Sequence, residues 1–359
     1  MRKLKLIIFL FLLFTKPSFG QIKNIGLLEI KNFKRTDYKG GTQNWDIDQD
    51  KNGTIYFANN DGLIQFDGST WRKYKLPNSP DTRCVKVGPS GKIFVGGYSE
   101  FGYYETNSKG RLEYVSLSKL VDKNKIIDFI WKIHLFKDEV VFQSFARIYI
   151  YKNNNLKIIE APDRFQFSFH VKNHLYLQDN SNGILEYKNG KLYPLQGTNS
   201  FNNTEIWGII PMSENKLLIA TQNKGLFLYD FKNAMPWETE ANTFIKKNSS
   251  LGGVLVKDRF IVLNSVLNGI IICDTNGKII QHINHKKGLQ NNTVLTSFID
   301  KSKNIWLGLD NGIAFVNDNS PFTYFGFSYD ISTVYASVVH KGNLYVATNQ
   351  GVFYHSWNI

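Results

Sequence analysis

The sequence predicts an all-β protein, a β-propeller of four-stranded blades, on three observations. A short hydrophobic core recurs along the chain: Ile55-Tyr56-Phe57, Ile93-Phe94-Val95, Val140-Val141-Phe142, Leu175-Tyr176-Leu177, Leu217-Leu218-Ile219, Phe260-Ile261-Val262, Ile305-Trp306-Leu307 and Leu344-Tyr345-Val346. A glycine follows most of these cores, at Gly62, Gly102, Gly183, Gly225, Gly269, Gly312 and Gly351. Apart from one double gap, the glycines lie about forty residues apart, the period of a propeller blade. The composition agrees: of 359 residues, 42% are hydrophobic and 14% aromatic, against 20% charged. Aromatic and β-branched runs bounded by Asn, Asp and Gly read as successive hairpins. A β-helix would need a shorter repeat, and a sandwich would not place the same turn at constant spacing.

Taken in order, residues 1–20 read as a secretory signal peptide. Arg2, Lys3 and Lys5 precede the apolar run Leu6–Phe14, and Ser18 and Gly20 supply small residues before a cut ahead of Gln21. No later stretch is apolar enough to span a bilayer, so the expectation is an exported, periplasmic chain without a span after cleavage. Glu29–Phe33 (EIKNF) stands where a fourth strand belongs, and is expected to close the ring beside the last blade's third strand, covering both open sheet edges. Asn44–Trp71 is the first unit, with turns at Asp50-Lys51-Asn52-Gly53 and Asn59-Asn60-Asp61-Gly62. The double gap falls in the third unit, which has Ala146-Arg147 in place of its glycine. Each repeat glycine is expected to serve a turn with φ > 0 or a close approach of chains, which are structural roles.

These units give one propeller over residues 21–320, with seven repeats. Residues 321–359 form a partial eighth repeat, either the start of a second propeller or the last blade of an eight-bladed ring. The seven-bladed reading is preferred.

The charge of +13 includes four basic residues of the leader, leaving +9 on residues 21–359. The lysines are scattered along turns and strand edges, where they discourage edge-to-edge aggregation. An exported chain without a basic stripe is not expected to bind nucleic acid. Cys84 and Cys273 fall in the second and sixth repeats, too far apart for a disulfide. The seven histidines show no compact metal-ligand spacing, and neither a phosphate loop nor a nucleophile elbow is present. No catalytic residue, metal or cofactor is assigned.

In a propeller the first strand of each blade lines the central channel. Its start shares a face with the loop between strands two and three. That geometry gathers Asn44, Trp45, Asp46, Arg83, Tyr98, Glu100, Trp131 and Trp207 at the channel mouth. Aromatic faces mixed with amides and carboxylates suit a polar small molecule such as a glycan fragment. The competing readings are a platform for a protein partner or a second propeller and, less favoured, a lyase or glycosidase in which Asp46, Asp61 and Glu100 converge.

Gln43-Asn44-Trp45-Asp46-Ile47, Tyr56-Phe57-Ala58-Asn59-Asn60-Asp61-Gly62-Leu63, Phe66-Asp67-Gly68 and Glu100-Phe101-Gly102-Tyr103 resemble the two-component-regulator-type propellers of Bacteroidetes sensors. The resemblance covers nearly all of residues 21–359 and is most specific in the first two units. It implies two consecutive seven-bladed propellers outside the inner membrane, then a triple-tyrosine domain, one membrane span, and a LuxR-type or histidine-kinase output. The chain carries none of the parts after the first propeller except the partial unit from Pro321. The resemblance therefore implies the non-catalytic sensor region of a signalling protein, truncated or standing alone.

Overall fold

The computed structural model describes residue 22 and residues 25–357 except 78–80, 123 and 126. The signal peptide expected at residues 1–20 lies outside the described residues. The described chain is built from eight antiparallel sheets, seven of four strands and one of three. Sheet 1 comprises Asn44–Gln49, Ile55–Asn59, Gly62–Phe66 and Trp71–Tyr74, paired in sequence order. Sheets 2 to 6 repeat this meander over residues 82–116, 132–160, 165–194, 206–236 and 250–283. Sheet 7 takes three strands from Val294–Ile299, Ile305–Leu309 and Ile313–Asn317, and its fourth is Glu29–Phe33. That strand runs antiparallel to the third, with Glu29 opposite Asn317 and Phe33 opposite Ile313. All eight hydrophobic cores of the repeat lie in second strands.

The first strand of each of sheets 1 to 6 lies against the first strand of the next, and that of sheet 7 lies against that of sheet 1. The arrangement is propeller-like. Its core is divided in the same way, because a sheet with two apolar faces must bury each against a neighbour. Seven hydrophobic clusters fill the junctions between successive sheets. At the junction of sheets 7 and 1, Phe33 stacks on Trp306 at 5.9 Å and meets Trp71 edge-on at 5.2 Å. Phe57, wholly buried, completes that cluster.

The repeat glycines divide into two kinds. Gly62 has φ +122°, and a Cβ there would stand 2.4 Å from the Tyr74 carbonyl oxygen, so both expected reasons for glycine hold. Gly102 departs from the turn reading. It lies inside the strand Phe101–Thr106 without positive φ, and only close approach explains it: a Cβ would meet the Val115 carbonyl oxygen at 2.1 Å. Gly183, Gly225, Gly269, Gly312 and Gly351 all have positive φ.

One helix, Glu240–Asn248, is absent from the sequence reading. Thr239 caps it, its hydroxyl accepting from the Asn242 amide at 3.2 Å, and Ala241 and Ile245 pack between sheets 5 and 6. The Thr cap, the i, i+4 apolar pair and Lys246-Lys247 in the last turn were its signal. Sheet 8 (Val334–His340, Asn343–Thr348, Gly351–Ser356) has both outer strands exposed. Cys84 and Cys273 are buried free thiols. No described helix is long and apolar enough to cross a membrane.

Candidate ligand-binding site

The first strands are irregular at one recurrent place, and that irregularity builds the site. In sheets 1, 2, 4, 5, 6 and 7 the pairing of first and second strands shifts register near its start, between Asn44 and Asp46, Thr82 and Cys84, Phe165 and Ser168, Ile206 and Gly208, Ser250 and Gly253, and Val294 and Thr296. A bulge adds a residue on one strand and re-aims its side chain. Trp45, Arg83, Phe167, Trp207, Leu251 and Leu295 fall within these shifts. With Trp131, just ahead of the sheet 3 strand, they line one cavity of about 320 Å³. One residue thus comes from each of seven sheets.

Four of the seven are aromatic, and their rings form a continuous belt. Trp45 meets Trp131 edge-on at 5.7 Å, Trp131 lies 5.9 Å from Phe167, and Phe167 lies 4.7 Å from Trp207. Phe129 and Phe145 back Trp131 at 5.6 and 5.4 Å. The Arg83 guanidinium carbon sits 4.7 Å from the Trp45 ring centre and 5.7 Å from that of Trp131, a cation–π arrangement. Arg83 Nη2 lies 4.0 Å from the Asp81 carboxylate.

The polar part of the lining comprises Asp46, Lys86, Lys132, His134, Ser168, His170, Asn264, Thr296 and Ser297. Asp46 is committed to the fold: its carboxylate accepts from the Val85 amide at 3.1 Å and the Ile47 amide at 3.0 Å, stitching sheet 1 to sheet 2. Burial raises its pKa, against the pull of Lys132. Lys86 pairs with Asp48 at 3.1 Å. His134 bonds the Ser168 hydroxyl through Nε2 at 2.8 Å, and burial holds it well below the usual imidazole range. Lys132 makes no ion pair within 4 Å among the described residues, and its ammonium lies 5.7 Å from the Phe167 ring centre.

Five of the eight sequence-derived site residues therefore meet at the cavity: Trp45, Asp46, Arg83, Trp131 and Trp207. The other three do not line it. Asn44 is 0% exposed; its amide donates to the Gly312 carbonyl at 2.9 Å and accepts from Asn59, fastening sheet 1 to sheet 7. Glu100, 1% exposed, accepts from the hydroxyls of Tyr114, Ser116 and Ser118 at 2.7–2.9 Å. Both are structural because polar groups at these buried turns need partners. Tyr98, 51% exposed, stands one ring outside the belt, 4.9 Å from Phe129. Asp61 pairs with Lys73 and Lys75, so the three carboxylates considered for glycoside hydrolysis sit in separate networks. Sequence reasoning missed Phe167, Lys132, His134 and His170. Phe167 could have been found, since it occupies the same repeat slot as Trp45, Arg83 and Trp207. No cluster of His, Cys, Asp or Glu that could hold a metal occurs among the described residues.

Neither a protein-family model nor a curated protein sequence matches the chain. Solved structures do. The extracellular domain of BT4673, a one-component system protein of B. thetaiotaomicron, is 19% identical with a TM-score of 0.65, over 91% of this chain and 46% of that one. The extracellular domain of BT3049, a hybrid two-component system protein of the same organism, is 19% identical with a TM-score of 0.64, over 92% and 48%. Virginiamycin B lyase from Staphylococcus aureus is 12% identical with a TM-score of 0.62, over 81% of this chain and 99% of that one. This chain spans less than half the length of the two B. thetaiotaomicron domains. At such identities the likeness is one of fold: a sheet-repeat architecture shared by extracellular domains of one- and two-component system proteins and by a lyase.

Proposed function

We propose that residues 21–320 form a seven-bladed propeller closed by Glu29–Phe33, and that it is the non-catalytic, ligand-binding sensor module of an exported signalling protein. Sheet 8 is then the beginning of a further unit. The observation that carries this reading is the cavity itself. All seven sheets contribute to its lining, and four aromatic side chains at the start of first strands make a belt of ring faces beside polar groups, a lining that suits sugars and similar polar molecules. Support for a non-catalytic role is that Asp46, Asp61 and Glu100 are each engaged in separate structural contacts. The fold's likeness to sensor extracellular domains points the same way.

The test is a thermal-shift and tryptophan-fluorescence screen of the protein against neutral and acidic oligosaccharides, nucleotides and peptides. A ligand at one hundred times its Kd adds about 2.7 kcal/mol of stability. Spread over roughly 290 residues that unfold together, this is a rise of about 4 °C. Trp207→Ala is expected to abolish the rise with that ligand. Silence across all classes, or a hit indifferent to Trp207→Ala, would overturn the reading.

A further inference from the structure

Among the cavity-lining groups buried without a hydrogen-bond partner, N–H donors predominate over one acceptor, Asn264 Oδ1, and one hydroxyl, Ser297 Oγ. Trp45 Nε1, Trp131 Nε1, and Arg83 Nε and Nη1 are buried without a hydrogen-bond partner. All four are N–H donors, and all belong to residues in mutual ring contact on one wall. Buried donors are almost always paired, so four orphans in one cluster call for an acceptor that the protein does not supply. The fixed charges agree. Of the lining cations, Lys86 is answered by Asp48 at 3.1 Å, and Asp46 spends its oxygens on two main-chain amides. Arg83 has Asp81 only at 4.0 Å, and Lys132 has no ion pair among the described residues. Sheets 1, 2 and 3 thus hold the orphan donors of Trp45, Arg83 and Trp131 in the cavity wall beside Lys132, and among the described residues no carboxylate lies at hydrogen-bond distance from Arg83 or Lys132.

We propose that this cavity takes an anionic ligand, a carboxylate- or sulfate-bearing sugar. Its acid group sits against Lys132, Arg83 and the indole N–H groups of Trp45 and Trp131, while its ring lies on the belt of Trp131, Phe167 and Trp207. The proposal rests on the small-molecule reading above and adds the charge of the ligand. The guanidinium matches a planar, two-oxygen acceptor, and the indoles add single donors beside it. The four donors are covered by the rings packed around them. An oxyanion reaching them displaces ring contacts only, because no hydrogen bond holds these atoms in place. A cationic ligand would meet Lys132 and Arg83 as like charges, and a neutral one would answer the donors with uncharged oxygens only, leaving both cations without a counter-charge.

The experiment is titration calorimetry of the intact protein with galacturonate, glucuronate and mannuronate oligosaccharides, their methyl esters as neutral isosteres, and 6-sulfated galactose oligosaccharides. The acids, or the sulfated sugars, are expected to bind at least tenfold more tightly than the neutral forms, and to weaken as NaCl is raised. The acid and sulfate arms decide which oxyanion is preferred. Lys132→Met keeps the apolar stem and removes the charge; with an unchanged unfolding midpoint it is expected to lose that tenfold preference. Equal binding of acid and ester, or an acid preference untouched by both salt and Lys132→Met, overturns the anionic assignment and leaves the small-molecule reading standing. If none of the acidic probes binds while a neutral sugar does, the assignment falls in the same way. Failure of every probe, together with silence in the broader screen, removes both.

Discussion

Phe33 holds the N-terminal strand to two sheets at once, and truncating it tests how the sheets are joined. Its backbone pairs with Ile313 of sheet 7, while its ring contacts Trp306 of sheet 7 and Phe66 and Trp71 of sheet 1, all within 6 Å. The side chain is 7% exposed. Phe→Ala at such a site costs about 3–5 kcal/mol, combining the lost transfer energy with the cavity left among rings that cannot collapse. Unfolding some 290 residues carries an entropy of about 0.6 kcal/mol per degree, so Phe33→Ala is expected to lower Tm by about 5–8 °C. Differential scanning calorimetry measures this directly, and hydrogen exchange adds the location: amides of residues 29–33 should lose protection before those of sheet 4. Phe33→Leu, which refills most of the volume, should recover over half of the loss. A shift below about 2 °C, or exchange spread evenly over all sheets, would refute the view that this strand locks sheet 7 to sheet 1.

Two further outcomes follow from single sites. Gly102→Ala places a Cβ 2.1 Å from the Val115 carbonyl oxygen and is expected to cost about 1–3 kcal/mol in urea unfolding, whereas Gly326→Ala, with open space around it, should stay within about 0.5 kcal/mol. Burial lowers the pKa of His134 well below its ordinary value, and those of His170 and His282 in the same direction. The unfolded chain therefore takes up these protons first, so their stability contribution is full above about pH 6.5 and is lost as pH falls below it. Of the three, His134, the most deeply lowered, should contribute most to the fall between pH 7 and 5. His134→Gln should flatten the fall of the urea midpoint relative to the unsubstituted protein. Asp46, whose raised pKa acts in the opposite sense, is common to both proteins and cancels in the comparison. An identical slope in both would exclude the buried imidazole as the cause.

The sequence by itself determined the repeat, because that information is local. A second strand such as Ile55-Tyr56-Phe57 is buried on both faces and so reads as a continuous apolar run, and the turn after it needs Asn, Asp or Gly wherever the chain sits in space. The same period carried Trp45, Arg83, Trp131 and Trp207 to one place. The helix Glu240–Asn248 escaped because nine residues carry little periodic signal, and its stability comes from Ala241 and Ile245 packing between sheets. Only the tertiary structure decided the character of the site. Asn44 and Glu100 are polar residues at loops and look like binding groups in sequence, yet buried turns need internal fasteners and consume both. Phe167 and Lys132 count only once bulged first strands from separate sheets face one space, an outcome of register between strands that sequence period does not encode. The unbalanced donors of Arg83, Trp45 and Trp131 are likewise a property of the assembled wall. Whether a polar atom has a partner depends on what the fold brings within 3 Å of it, and no residue carries that in its own chemistry.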